Sequence, residues 1–139
     1  MRQVGFLASA GLCAFEEIVP ILQKDHDRTR RIAEHIHGIN SPFFRVDLEN
    51  LHTNILMIHI LTDRIKSCDF NKRLTEVSPS EIELGLVDAC GKGISVRVSA
   101  RDWSFARIVV YTNITDEDID LAVRKIKYVI EEYDHNMKQ

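Results

Sequence analysis

A long helical stripe at the start of the chain constrains the fold more than any other feature. From Val4 to Ile36, apolar or small residues recur at three- and four-residue steps. Leu7, Gly11, Ala14, Ile18 and Leu22 lie on one line, which continues through His26, Thr29, Ala33 and Ile36. That spacing is the 3.6-residue period of an amphipathic helix. The first half is rich in Ala, Gly and Ser, so another surface can approach it closely. Pro20 removes a hydrogen bond and clashes one turn back, which predicts a kink or break between Glu16 and Pro20. Gly38 is the expected left-handed cap.

Beyond the helix the period changes. In "FFRVDL", Phe44, Val46 and Leu48 share one face of a strand. "TNILMIHI", Thr53 to Ile60, is apolar on both faces and suits a central strand. A charged helical stretch follows from about Thr62 to Val77, and "SPSEIELGLVDACG" holds a further short helix. "GISVRVS" alternates Ile94, Val96 and Val98 against Ser95, Arg97 and Ser99. "ARIVVYT", Ala106 to Thr112, is the last strand. The final helix starts at Thr115, with Asp118 in the capping-box place and Asp116 and Glu117 in the first turn, where the helix dipole favours anions. Its buried stripe is Ile119, Ala122, Val123, Ile126, Ile130 and Tyr133. The order predicts an α+β fold: a small, mostly antiparallel sheet with helices packed on one face. Residues 1–38 form a linking helix and 39–139 a small domain.

Bulk properties narrow the function. A net charge of -3 offers no basic field for nucleic acid or anionic lipid. No uninterrupted apolar run approaches the ~20 residues of a membrane span. Cys13, Cys68 and Cys90 are odd in number and widely spaced, so reduced, buried thiols in the cytosol are expected. "GLVDACGKG" is not a phosphate loop: the step from Gly85 to Gly91 is one residue too long, and Gly93 replaces the required Ser or Thr. In "EHIHG", His35 and His37 point about 200° apart on a helix and cannot readily share a metal. His26 reads as a core or interface histidine, and His52 and His59 lack partners at ligand spacing. "DEDID" lacks the Gly and terminal Glu of a calcium loop. No Ser, Cys or Thr nucleophile has a base nearby, so the motifs hold no complete active site.

Four stretches, in order, resemble the L-threonine aldolases: "MRQVGFLASAGLCAFE", "QKDHDRTRRIAEHI", "LHTNILMI" and "ARIVVYTNITDEDID". The resemblance implies the small domain of the aspartate-aminotransferase-like fold, and pyridoxal phosphate as cofactor of the complete enzyme. It implies cleavage of L-threonine or L-allo-threonine to glycine and acetaldehyde, in homo-oligomers. The family's large domain, with its Schiff-base lysine, precedes these motifs and is expected to be absent here. Lys24, Lys66, Lys72 and Lys92 do not match that lysine's context, so the chain alone is expected to bind no cofactor and to be inactive. By the resemblance, Arg107 grips the amino-acid carboxylate and Arg2 reaches the cofactor phosphate across a subunit interface. A guanidinium suits both, because it makes planar, charge-assisted, bidentate contacts. In an alternating strand Arg107 points opposite to Ile108; from pattern alone an edge-strand arginine in a surface ion pair is the better explanation, and it is the resemblance that favours the clamp. Thr53 and Asn54 match a family pair and read as structural polar positions, and Tyr111 stands where many bacterial members have His. The other reading is a shortened, non-catalytic binding or assembly module, whose first helix docks on a partner such as a full-length homologue.

Overall fold

The first stripe forms helix as its spacing predicts, but Pro20 splits it. In the computed structural model, which describes residues 3–99 and 104–138, α1 (Val4–Glu17) meets α2 (Leu22–Ile39) through a single 3-10 turn, Val19–Ile21, with Pro20 near its start. The two helices differ in what they bury. Asp25, Arg28, Thr29, Ile32, Ala33 and Ile36 of α2 are buried. No residue of α1 is; Phe6 is 80% and Phe15 73% exposed. His26 is half-buried, whereas Leu7, Gly11, Ala14, Ile18 and Leu22 face solvent. By length and composition the helical stretch Val4–Ile39 holds a window apolar enough to cross a membrane, which corrects the expectation from uninterrupted runs. Glu16, Glu17 and Pro20 fall at the end of that window, and a helix that another protein surface covers has the same composition. The left-handed cap of α2 is Asn40, at φ 55°, and not Gly38. Asn tolerates this conformation because its short polar side chain bonds locally.

The sheet has three antiparallel strands in the order β1 (Phe44–Arg45), β2 (Ile55–Ile60), β3 (Phe105–Val109). β2 is central, pairing Arg45 with His59 on one side and Met57 with Arg107 on the other. Its burial alternates: Leu56, Ile58 and Ile60 enter the core, while Ile55, Met57 and His59 lie on an open face. The expectation that β2 is covered on both faces is therefore corrected for the described residues. Helices α2, α3 (Ser67–Thr75) and α5 (Asp116–Asn136) pack on the core face. Phe44 and Phe70 meet there at 4.8 Å between ring centroids, with Tyr133 beside both. The short α4 (Pro79–Glu83) carries a capping box from Ser78 and Glu81.

"GISVRVS" does not become a strand. It touches β structure at Gly93, bridged to Val87, and at Ser99, bridged to Arg107. Between them it leans on α3: the Val96 N–H donates to Leu74 O, the Ser95 hydroxyl to Thr75 O, and Asn71 Nδ2 to Val98 O. The backbone groups that alternation sends towards the helix are thereby bonded, while the opposite set stays off the sheet. Asn54 extends the β2–β3 pairing past the ladder, donating Nδ2 to Val110 O and accepting from Val110 N–H. Thr53 Oγ1 accepts from the Ile55 N–H, so both polar residues serve the backbone.

α5 is anchored at its start. Thr115 and Asp118 form the capping box, and the Thr115 amide and hydroxyl hold the Asp118 carboxyl below its usual range. Arg28 of α2 clasps Asp116 with two bonds of 3.0 and 3.2 Å. Thr115→Ala is expected to cost about 1 kcal/mol, the usual worth of such a cap. A urea titration showing an unchanged midpoint would contradict that.

Candidate functional site

Arg107 occupies the middle of β3. Its neighbours Ala106 and Ile108 are buried in the core, so strand alternation delivers the Arg107 side chain to the open face. There it sits opposite Met57, flanked along the strand by Phe105 and Val109. On its other side it exchanges both backbone hydrogen bonds with Ser99, at 2.9 and 3.0 Å. The described open face bears Arg45, His59 and Arg107 among Ile55, Met57, Phe105 and Val109; Asp47 borders it on the β1 side, lining a hollow with Ile55, Met57 and His59 and facing the charge of Arg45.

The guanidinium is half-buried, and its Nε is enclosed without a hydrogen-bond partner. No ion pair holds it among the described residues. The arginines of the helices differ: Arg28 binds Asp116, Arg30 pairs with Glu34, Arg31 with Asp120, Arg73 with Glu81 and Glu132, and Arg124 donates to Gly85 O. An enclosed donor left unmade costs about 1–3 kcal/mol. A carboxylate arriving over Met57 would satisfy it; the bordering acid, Asp47, already accepts bonds from Asn50 and the Glu49 amide.

Arg2 lies outside the described residues. Tyr111 is exposed just past β3. Cys13, Cys68 and Cys90 are exposed thiols rather than the buried ones expected: Cys13 lies on α1, which buries nothing, Cys68 in the first turn of α3 and Cys90 in a turn. Among the described residues no group of His, Cys, Asp or Glu could hold a metal.

One charged group was missed by sequence reading. Lys125 is fully buried, with Nζ 2.7 Å from both carboxylate oxygens of Glu81 and 2.5 Å from Glu76 O. Arg73 bonds the same carboxylate at 2.8 Å and Glu132 at 2.6 Å. The signal was available: Lys125 lies three residues after Ala122 and four before Val129, inside the apolar stripe of α5. A cation at such a position must find a buried partner.

This ion pair also bears on cofactor chemistry. Pyridoxal phosphate requires an accessible lysine amine for imine formation. Lys125 is enclosed by its partners, and Lys24, Lys66, Lys72, Lys92, Lys127 and Lys138 are exposed to solvent. The described residues do not fit the cofactor by themselves.

Fold and face define a small α+β domain that presents Arg107, held by no ion pair among the described residues, on an uncovered sheet face. Two curated proteins of Arabidopsis thaliana are similar to it in sequence. A probable low-specificity L-threonine aldolase 2 is 29% identical over 125 residues, covering 88% of this chain. A low-specificity L-threonine aldolase 1 is 28% identical over 120 residues, covering 86%. The chain spans 30% and 28% of their lengths. No protein-family profile matches it. The chain is threonine-aldolase-like along most of its length and corresponds to part of such a protein.

Proposed function

We propose that this chain forms the C-terminal, small-domain part of a threonine-aldolase-like lyase, in which Arg107 holds the carboxylate of the amino-acid substrate. The enclosed Arg107 Nε, which has no hydrogen-bond partner, carries this reading. The remaining part of the enzyme would hold pyridoxal phosphate, with Arg2 contributing to its phosphate, and would cleave L-threonine or L-allo-threonine. Arg107 would fix the substrate's orientation through paired N–H donors, which a lysine cannot do in one plane. The protein would work in the cytosol, where its exposed thiols stay reduced.

The exposure of α1 favours a second reading beside the first: a binding or assembly module. Phe6, Leu7, Leu12 and Phe15 are all more than half exposed, an unusual state for apolar residues grouped on one helix. A partner, such as further copies or a full-length homologue, would cover them.

Two measurements test these readings. Propionate, a simple carboxylate, should shift the Arg107 side-chain NMR signals of the 139-residue chain saturably, and Arg107→Gln should abolish the response. No shift would remove the clamp assignment. The native mass in source cells, followed with peptides from "LAVRKIKYVIEEYDH", should lie well above 16.0 kDa. A species at that mass would favour the module.

A further inference from the structure

The open edge of β3 is one rung short of a fourth strand. Because the Arg107 N–H and C=O point to Ser99, those of Val109 point to the same edge; the intervening pattern agrees, since Val110 bonds Asn54 on the opposite side. Register carried on from Ser99–Arg107 places Arg97 opposite Val109. Among the described residues the backbone groups of Arg97 have no hydrogen-bond partner. Its neighbours Val96 and Val98 are bonded the other way, to α3, which is the arrangement a paired strand would keep. A cleft of about 450 Å³ separates the two backbones, walled by Ile94, Val96, Val98, Ile108 and Val110. Asp88, Lys92 and Asp118 also line it.

The geometry points to residues 94–98 as a strap that zips onto β3 through an Arg97–Val109 rung when an anion occupies Arg107. This rests on the carboxylate reading of Arg107. Zipped, Arg97 would stand diagonal to Arg107 on the open face, about 7–8 Å away and within reach of a shared anion. Two guanidiniums so placed repel each other, so the rung is opposed while the face is empty. A bound carboxylate removes the opposition and gains a second cation. The ligand thus favours the closed strap by its differential affinity for the two states. Asp118 bonds Thr115 and Asp88 the Cys90 and Lys92 amides, and neither is bonded to Arg97 or Arg107 among the described residues.

Amide hydrogen exchange of the full chain tests this, with sodium propionate against sodium chloride at equal ionic strength. Propionate is expected to slow exchange at Arg97 and Val109 at least about tenfold. Arg97→Gln removes the repulsion and should protect both amides without propionate. Unprotected amides in every sample would overturn the strap. Equal protection in the unsubstituted chain with and without propionate would overturn its coupling to the anion. Absence of any propionate shift at Arg107 would overturn the clamp and the coupling together, while exchange in Arg97→Gln still decides the strap.

Discussion

Replacing Glu81 with alanine is expected to destabilise the fold by about 3–5 kcal/mol, the usual loss when one member of a buried ion pair is removed. Glu81 is 1% exposed and receives bonds from Lys125, Arg73 and the Ser78 amide. Without it, the Lys125 ammonium keeps one carbonyl, Glu76 O, in a site closed to water. Arg73 retains Glu132 and suffers less. The bond from the Ser78 amide, one half of the α4 capping box, is lost as well. Urea unfolding should show the shift, and a loss below about 1 kcal/mol would contradict the network. If the variant does not fold, the joint replacement Glu81→Leu with Lys125→Met decides the matter. It removes both charges and should be more stable than the single change, because no ion is left unpaired.

The same carboxylate sets an acid limit. Burial pushes the Glu81 carboxyl up, but bonds from Lys125, the Ser78 amide and Arg73 outweigh it and hold the group below its usual value. A carboxyl lowered in the folded state contributes stability fully above its unfolded pKa, about 4.3 for Glu. That stability is lost as pH falls through the lower folded value. Asp116, lowered by its bonds from Arg28, and Asp118, lowered by Thr115, act in the same direction. Stability should therefore fall as pH drops below about 4, and Glu81→Gln should flatten that limb. An unchanged limb would show that Glu81 is not the controlling group.

On the proposed lyase reading, Arg107→Ala is expected to lower kcat/KM of the complete enzyme by about 10²–10³-fold, since truncating one partner of a hydrogen-bonded charge pair costs about 2–5 kcal/mol. The loss should fall mainly on KM, because the carboxylate is held in ground and transition states alike. Arg107→Lys should recover only part of it, lacking the planar fork. Thermal unfolding of the 139-residue chain should barely change, as among the described residues no bond from this side chain supports the fold. Unchanged kinetics would remove Arg107 from the site; a large loss of stability would mark it as structural.

Residues of α5 show how far periodicity reaches. Ile119, Ile126 and Ile130 were legible as a buried stripe and are buried, and the Thr115–Asp118 cap was legible and is formed. The stripe of α1 carries the same signal and buries nothing. Spacing states which residues share a face, not whether a neighbour exists to cover it. "GISVRVS" has the alternation of a strand, yet strand formation requires a partner edge at the right distance, and α3 holds these residues away from β3. For Arg107, alternation was enough to predict the face opposite Ile108. That the face is uncovered and the guanidinium unpaired depends on residues distant in sequence.

By itself the sequence determined the helical stretches and the segments of the three paired strands, the helix break at Pro20, the cap of α5 and the resemblance to threonine aldolases, since each arises from local stereochemistry or residue order. Tertiary structure alone decided the Lys125–Glu81–Arg73 network, the open sheet face and the gap between Arg97 and Val109. Those depend on which distant surfaces meet, and burial, charge pairing and vacant hydrogen bonds are properties of such meetings.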